Sequence, residues 1–157
     1  MKIYLVQHGE AKSEADDPER PLTDRGRREV ATMAAVLKRN RLPVAAIWHS
    51  GKLRASQTAG VLALALEPEG GVTERSGLAP KDDPAMVAAA LERPATPIMV
   101  VGHLPHLSRL ASLLTVGDPE KEIIRFRPGG VLCLLQAEEG WRVAWYLTPE
   151  LAGSDAG

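Results

Sequence analysis

Two of the four histidines in this chain follow a short apolar run and lie beside a glycine. His8 comes after the run 3–6 and before Gly9, and His103 comes after the run 98–101. Short apolar runs bounded by turn signals predict buried strands of a parallel sheet, and ligands bind at the carboxyl ends of such strands. We therefore expect His8 and His103 to lie at the edge of one site, where Gly9 lets a ligand approach the backbone.

The residues near these histidines favour the binding of an anion. Arg54 lies in the first turn of a helix expected to follow Ser50, and His103 lies just before a helix that Pro105 starts. Helix N-termini offer free N–H groups and the positive end of the helix dipole. Helical side chains tilt toward the N-terminus, so Arg54 points back toward His8. Two imidazoles, one guanidinium and two helix N-termini suit a phosphoryl group, whose oxygens arginine matches bidentately.

Metal binding is the competing use of histidines. His103 and His106 have an allowed ligand spacing, but a zinc site needs three or four ligands. The sequence contains no H-E-x-x-H pattern and no cysteine pair, and it lacks the glycine patterns typical of nucleotide-binding loops. We therefore expect neither a metal nor another cofactor.

The elements that must position these groups alternate between strand and helix. Apolar runs predict strands at 3–6, 44–48, 98–101, 131–135 and 143–147, with a weaker strand within 72–83. Apolar stripes at helical spacing predict helices after the N-cap Thr23, from Ser50 to about Leu66, after a cap at Asp82 or Asp83, and from Pro105. This alternation predicts an α/β fold with a mostly parallel sheet and an antiparallel edge. Residues 1–149 are expected to form one domain, and residues 150–157 a flexible tail.

Composition narrows the classes of partner. A net charge of −1 gives no reason to expect binding to nucleic acid or to an anionic membrane surface. No apolar run approaches the roughly 20 residues of a membrane span, and the first strand begins too early to leave room for a signal peptide. Cys133 lies inside an apolar run, and one cysteine cannot form an internal disulfide, which fits a cytoplasmic protein.

Four sequence elements resemble the histidine phosphatase superfamily. The resemblance runs from about residue 2 to residue 147, and the short length together with His103-Leu104-Pro105 indicates the SixA-type phosphohistidine phosphatase branch. It implies the phosphoglycerate mutase-like fold, in which helices cover both faces of the sheet in three layers. The elements, in order, are Val6-Gln7-His8-Gly9-Glu10, Arg20-Pro21-Leu22-Thr23 with Gly26, Ser50 to Thr58 in the pattern Ser-x-x-x-Arg-Ala-x-Gln-Thr, and Gly102-His103.

The resemblance implies a transfer in two steps without metal. His8 would attack phosphorus and form a phosphohistidine intermediate, which water then hydrolyses. Arg20, Arg54 and His103 would hold the phosphoryl oxygens and stabilise the transition state. Elementary chemistry agrees, because a nucleophilic imidazole must be neutral, and positive neighbours lower its pKa from the usual value of about 6.5.

Several positions near the substrate allow more than one interpretation. Gln7 stands where the family has an arginine, and its amide either contacts the phosphate without a charge or only packs. Ser50 is expected near the substrate, although it could be only a helix cap. Glu10 is expected at the same place and could act as a substitute acid.

The expected substrate depends on an acid that this sequence lacks. Relatives that act on phosphate esters usually carry a glutamate in mid-chain, where this chain has Leu78-Ala79-Pro80. An alkoxide leaving group needs that proton, whereas an imidazole leaving from a P–N bond needs it much less. The prediction is a phosphatase for phosphohistidine on a partner protein. The alternatives are a phosphatase for small phosphate esters and a phosphate-binding module weakened by Gln7.

Overall fold

The computed structural model describes residues 1–153, and six strands and five helices alternate along them. The elements are β1 (Lys2–Gln7), α1 (Asp24–Arg39), β2 (Ala46–His49), α2 (Leu53–Leu66), β3 (Val72–Glu74), α3 (Ala85–Ala90), β4 (Ile98–Gly102), α4 (His106–Val116), β5 (Val131–Gln136), β6 (Trp141–Leu147) and α5 (Pro149–Ala152). None of these helices, within residues 1–153, combines the length and the apolar character that crossing a bilayer requires.

The six strands form one sheet in the order β3-β2-β4-β1-β5-β6. Strands β1, β2, β3 and β4 pair in parallel, whereas β5 pairs antiparallel with both β1 and β6. A hairpin needs only a short turn, so the last two strands can pair directly, while the parallel strands need helical crossovers. The predicted mostly parallel sheet with an antiparallel edge is confirmed.

Each face of the sheet carries its own hydrophobic core. On one face, residues of α1 and α2 such as Met33 and Leu62 pack with Tyr4 and Ile47 of the sheet. On the other, α3 and α4 pack over alternate residues of the same strands. Because successive side chains of a strand point to opposite faces, a strand buried on both sides must be apolar throughout. The three-layer arrangement with helices on both faces is also confirmed.

The topology explains why two histidines far apart in sequence become neighbours. Strands β1 and β4 lie side by side, with Gln7 opposite Gly102 at their carboxyl ends. From β1 the chain passes through α1 to β2 on one side, and from β4 it passes through α4 to β5 on the other. The point where the connections diverge leaves a crevice between the helix N-termini, which is where ligands bind in open α/β sheets.

Close packing fixes the turn between β1 and α1. Thr23 is the N-cap of α1, as predicted, and its hydroxyl oxygen accepts a hydrogen bond from the Gly26 N–H at 2.9 Å. A Cβ on Gly9 would lie 2.8 Å from the Val30 side chain, and one on Gly26 would collide with the Glu10 carbonyl. Glycine at both positions therefore lets the end of β1 contact the start of α1.

The boundaries differ from the predictions at three places. Helix α2 begins at Leu53 with Lys52 as its N-cap, so Ser50 is not the cap that was expected. At α3 the N-cap is Pro84, with Asp83 Oδ1 accepting from the Ala85 N–H. The predicted tail begins at residue 150, yet residues up to Ala152 belong to α5, which packs against α1. Residues 154–157 of that tail lie outside the described residues.

Candidate active site

A cleft of about 430 Å³ lies at the carboxyl ends of β1 and β4. It brings together six of the eight residues that the sequence analysis placed at the site. Four apolar residues complete its wall. The lining residues are Gln7, His8, Glu10, Arg20, Arg54 and His103, with Ala11, Pro80, Leu104 and Pro128.

His8 is held by its backbone and by one of its ring nitrogens. Its N–H donates to the Gly102 carbonyl at 3.0 Å, which ties the residue to the end of β4. Its Nδ1 lies 2.7 Å from the Gly9 carbonyl oxygen. A carbonyl can only accept, so Nδ1 carries the hydrogen and Nε2 keeps its lone pair. Burial, and then the charges of Arg54 and Arg20, lower the pKa of His8 to about 4 against the Gly9 hydrogen bond, so the ring is neutral at pH 7.

His103 faces His8 across the cleft and is only 1% exposed. The two ring centroids are 5.0 Å apart. Ser50 Oγ lies 2.5 Å from His103 Nε2 and accepts from the Lys52 N–H at 3.3 Å. The Ser50 hydroxyl therefore connects the His103 ring to the chain just before α2. Burial, followed by the nearby His8 and Arg54, lowers the pKa of His103 to about 3.

Two arginines supply the positive charge of the cleft. Arg54 lies in the first turn of α2, and its pKa is lowered by burial and then by the charge of Arg20. Arg20 reaches the same cleft from the loop before α1, where its backbone adopts a left-handed φ of 50°. Its Nε donates to the Lys12 carbonyl at 3.0 Å. This hydrogen bond holds the Arg20 guanidinium at the cleft and leaves its two NH₂ groups available to a ligand.

Gln7 and Glu10 line the cleft as well, in different settings. Gln7 is 9% exposed, and its Oε1 has no hydrogen-bond partner among residues 1–153. Glu10 Oε1 accepts a hydrogen bond from Thr23 Oγ1 at 2.8 Å. Among the described residues that line the cleft, Glu10 is the one carboxylate.

Gly9 and Ser50 do not line the cleft, although they were predicted to lie at the substrate. The Gly9 N–H donates to Thr58 Oγ1 at 3.0 Å, and its carbonyl accepts from the His8 ring. Ser50 lies behind His103, which separates it from the cleft. Both residues contact the groups that line the site.

Two residues that hold these loops in place, Gln57 and Thr58, were not predicted as site residues. Thr58 Oγ1 accepts from Gly9 and donates to the Arg54 carbonyl at 2.8 Å, and Gln57 Oε1 accepts from the Leu22 N–H at 2.8 Å. A signal was present, because both residues belong to the Gln-Thr pair of the third element. No signal in the sequence indicated Pro128, which comes from a loop before β5.

The chemistry available to this cleft follows from its charges. Two guanidinium groups provide a positive potential, and both imidazoles are neutral because charging them without solvent is costly. No group of three or more potential metal ligands occurs within residues 1–153. Such an arrangement can bind a tetrahedral oxyanion and present a neutral imidazole nitrogen to it.

Comparison with known proteins finds phosphatases among the proteins that this chain resembles. Residues 3–79 match the profile of the histidine phosphatase superfamily (branch 1). An uncharacterised protein of Picosynechococcus sp. is 37% identical over 126 residues, covering 75% of both chains. The phosphohistidine phosphatase SixA of Escherichia coli is 29% identical over 123 residues, covering 75% of this chain and 76% of SixA. The solved structure of the protein histidine phosphatase SixA complexed with tungstate has a TM-score of 0.83 at 26% identity, covering 95% of this chain and 97% of that one.

The fold and the cleft define a phosphoryl-transfer protein of the α/β class. The chain belongs to the histidine phosphatase superfamily, as the four sequence elements indicated. Within that family it is a SixA-like phosphatase.

Proposed function

We propose that this chain removes a phosphoryl group from a histidine of a partner protein, through a phosphohistidine formed on His8. The observation that carries this proposal is the state of His8. Its ring is neutral, its Nδ1 hydrogen is donated to the Gly9 carbonyl, and its Nε2 lone pair is free in a cleft with two arginines. That combination suits a nucleophile toward phosphorus.

In the first step His8 Nε2 attacks the substrate phosphorus. The new P–N bond forms as the bond to the substrate imidazole breaks, and that ring leaves with the electron pair. It leaves as neutral imidazole when its other nitrogen carries a proton, so the step needs no proton from the enzyme. His8 becomes cationic, and the Gly9 carbonyl at 2.7 Å from Nδ1 stabilises that charge.

In the second step a water molecule attacks the phosphorus of phosphorylated His8. The P–N bond breaks, its electron pair returns to Nε2, and the water hydrogens leave with the released phosphate. His8 is then neutral again and ready for another cycle. Both steps pass through the same charge distribution on phosphorus, so one set of groups can stabilise both.

Arg54, Arg20 and His103 are assigned to the phosphoryl oxygens. The two guanidinium groups neutralise the charge of the transferred group. The neutral His103 ring, whose Nδ1 has no hydrogen-bond partner within residues 1–153, lies beside His8. Gln7 adds an amide at the same cleft in place of a third charge. A related SixA structure is complexed with tungstate, a tetrahedral oxyanion like phosphate, which supports the binding of such an anion by this fold.

The preference for a P–N bond over an ester follows from the acid groups of the cleft. Pro80 lines the cleft and belongs to the stretch that the family resemblance matches to the general acid of ester phosphatases, and Glu10 Oε1 already accepts a hydrogen bond from Thr23. The relationship to SixA, a phosphohistidine phosphatase, supports the same preference. We extend the proposal to a phosphotransfer or signalling protein as substrate and, since Cys133 is the single cysteine, to the cytoplasm as location.

A competition between substrate classes tests this proposal. Steady-state kcat/KM is measured on a phosphohistidine-bearing protein and on glycerol phosphate, with the unchanged chain and with His8→Asn. The proposal expects hydrolysis of phosphohistidine at least about a hundredfold more efficient than that of the ester, with both lost in His8→Asn. Ester hydrolysis at equal or greater efficiency would favour the small-ester alternative instead. Stable labelling of His8 without turnover would identify a binding module.

A further inference from the structure

We propose that four apolar residues around the cleft form a subsite for the leaving group, which selects a flat ring without hydroxyl groups. These residues, here called the collar, are Ala11, Pro80, Leu104 and Pro128. This inference rests on the proposed function and deepens it by assigning the part of the substrate beyond phosphorus.

The residues that line the cleft are of two chemical kinds, polar side chains and the four apolar side chains of the collar. The groups that can bind oxygen atoms come from six side chains, whereas the collar side chains contain no hydrogen-bonding group. A phosphoryl group is therefore expected to bind among the arginines and histidines, and the leaving group attached to phosphorus is expected to contact the collar. The hydroxyl groups of a polyol would lose water there without gaining a side-chain partner, which is unfavourable. The carbon atoms of an imidazole ring gain contacts there, and its single N–H needs one partner, whereas a polyol needs a partner for each hydroxyl.

Ala11 and Pro80 are held in place by hydrogen bonds within their own loops. Ala11 forms a β-bridge with Leu22, and the next residue donates its N–H to the Pro21 carbonyl at 2.8 Å. Before Pro80, Leu78 is fully buried, and the Ala79 N–H donates to Asp82 Oδ2 at 3.0 Å. That bond closes the turn that contains Pro80.

Leu104 and Pro128 are fixed by the strand ends themselves. Leu104 lies between the buried His103 and α4, whose first turn is tied to the His103 carbonyl by a bond of 2.7 Å from the Leu107 N–H. Next to Pro128, the Gly129 N–H donates to the Gln7 carbonyl at 2.9 Å. The collar is therefore preorganised around the nucleophile, which reduces the entropy lost when a ring binds.

Leu104 is the collar residue that a bound ring would cover most. It is 40% exposed although it is a large apolar side chain at the mouth of a charged cleft. Such residues commonly mark a surface that a ligand or partner covers. Removing three carbon atoms by Leu104→Ser should weaken contacts to the ring while leaving the oxyanion groups in place.

The experiment compares Leu104→Ser with the matched variant Leu64→Ser. Leu64 is 82% exposed on α2 and does not line the cleft, so it reports the general effect of the same substitution. For each variant, kcat/KM on a phosphohistidine-bearing protein and on free phosphohistidine is measured together with competitive inhibition by orthophosphate. Orthophosphate has no leaving group and therefore reports the polar part alone.

The expected result is a loss of about five- to tenfold in kcat/KM on both phosphohistidine substrates for Leu104→Ser. This equals the burial of between one and two methylenes at roughly a factor of four each, because a bound ring covers only part of the three lost carbon atoms. Orthophosphate inhibition should stay within about twofold, and Leu64→Ser should behave as the unchanged chain. Unchanged kcat/KM in Leu104→Ser overturns the collar, as does an equal weakening of orthophosphate inhibition. A loss confined to the protein substrate also overturns it, because Leu104 would then contact the partner surface. An unchanged chain that cannot hydrolyse phosphohistidine overturns the proposed function as well.

Discussion

The electrostatic state of His8 is central at the residue scale. The ring loses solvent on burial and lies near two guanidinium groups, and both effects disfavour its protonated form. The hydrogen bond to Gly9 acts in the opposite direction but does not outweigh them. The result is an imidazole whose pKa of about 4 leaves it almost entirely unprotonated at neutral pH.

We predict that protonation of His8 causes no loss of activity as the pH falls from 8 to 5, and that activity declines only near pH 4. The neutral form is the reactive one, so the acid limb follows the lowered pKa of His8, which is about 4. The measurement is kcat/KM against pH, corrected for spontaneous hydrolysis of the substrate. Circular dichroism at each pH provides the control for unfolding. An acid limb at pH 6 to 6.5 would show that the folded chain does not shift His8.

We predict that Arg54→Ala lowers kcat more than Arg20→Ala, by about 10² to 10³ for Arg54 by analogy with other preorganised donors. Arg54 lies on a helix, in the first turn of α2, so its backbone position is fixed. Arg20 extends from a loop and is held at the cleft through one hydrogen bond of its Nε. The exposed Arg142 on β6 supplies the control variant Arg142→Ala, which should retain full kcat. The larger loss at Arg20 would mean that the loop arginine is the better positioned of the two.

At the scale of elements, hydrogen bonds from helix α2 position the loops that carry the site residues. Its first turn carries Arg54, and one turn later Thr58 connects the Arg54 carbonyl to the Gly9 N–H. Gln57, which lies between Arg54 and Thr58 in the sequence, accepts a hydrogen bond from the N–H of Leu22, two residues after Arg20. One helix thereby sets the relative positions of the nucleophile turn and both arginines.

We predict that Thr58→Val lowers the free energy of unfolding by about 1–3 kcal/mol and also reduces kcat. Valine has the same shape but leaves the buried Gly9 N–H without an acceptor. Urea unfolding and steady-state kinetics measure the two effects. The control is Thr73→Val on the exposed strand β3, which should change neither quantity. Normal kcat in a destabilised Thr58→Val would show that Thr58 supports the fold without positioning His8.

Local signals in the sequence predicted the elements well and their ends less well. Apolar runs located five strands. For β1, β4 and most of β5 the reason is burial on both faces, which requires apolar residues throughout. Ser50 was predicted as the cap of α2 because serine favours that position, but its hydroxyl is hydrogen-bonded to His103, which follows β4. Helix α5 was missed because its packing on α1 depends on contacts distant in sequence.

At the scale of the whole molecule, the sheet topology creates the site. The diverging connections at β1 and β4 place His8 opposite His103, and the position of both after apolar runs predicted that meeting. The polar part of the cleft was accessible to sequence reasoning because it consists of chemically distinctive residues. The collar was not, because alanine, leucine and proline carry no chemical signature, and only the folded loops bring them together.

Burial of histidine side chains also affects the stability of the molecule. His106 is fully buried between α4 and the 77–83 loop, and burial is the main cause of its lowered pKa, although Asp82 and Asp83 oppose the shift and Arg109 supports it. The pKa values of His8, His49 and His103 are lowered as well. The unfolded chain binds protons at these histidines below about pH 6.5, whereas the folded chain binds them only at lower pH.

We predict that the contribution of these histidines to the free energy of unfolding reaches its full value above pH 6.5 and falls as the pH is lowered toward 4. Each histidine with a lowered pKa adds up to about 1.4 kcal/mol per pH unit to this dependence. Urea unfolding at pH 7.5, 6.0 and 5.0 measures the slope, and His106→Gln should make it shallower by about one such contribution. An identical slope in the variant would mean that His106 is protonated to the same extent in both states.

The most direct test of the whole account is to trap the covalent intermediate. The chain is mixed rapidly with a ³²P-phosphohistidine protein, quenched in alkali and mapped by mass spectrometry. We predict an alkali-stable, acid-labile phosphoryl group on His8, formed and lost at rates consistent with turnover, and no label on His8→Asn. Turnover with no label on His8, or a label on another residue that accounts for turnover, would contradict the proposed mechanism.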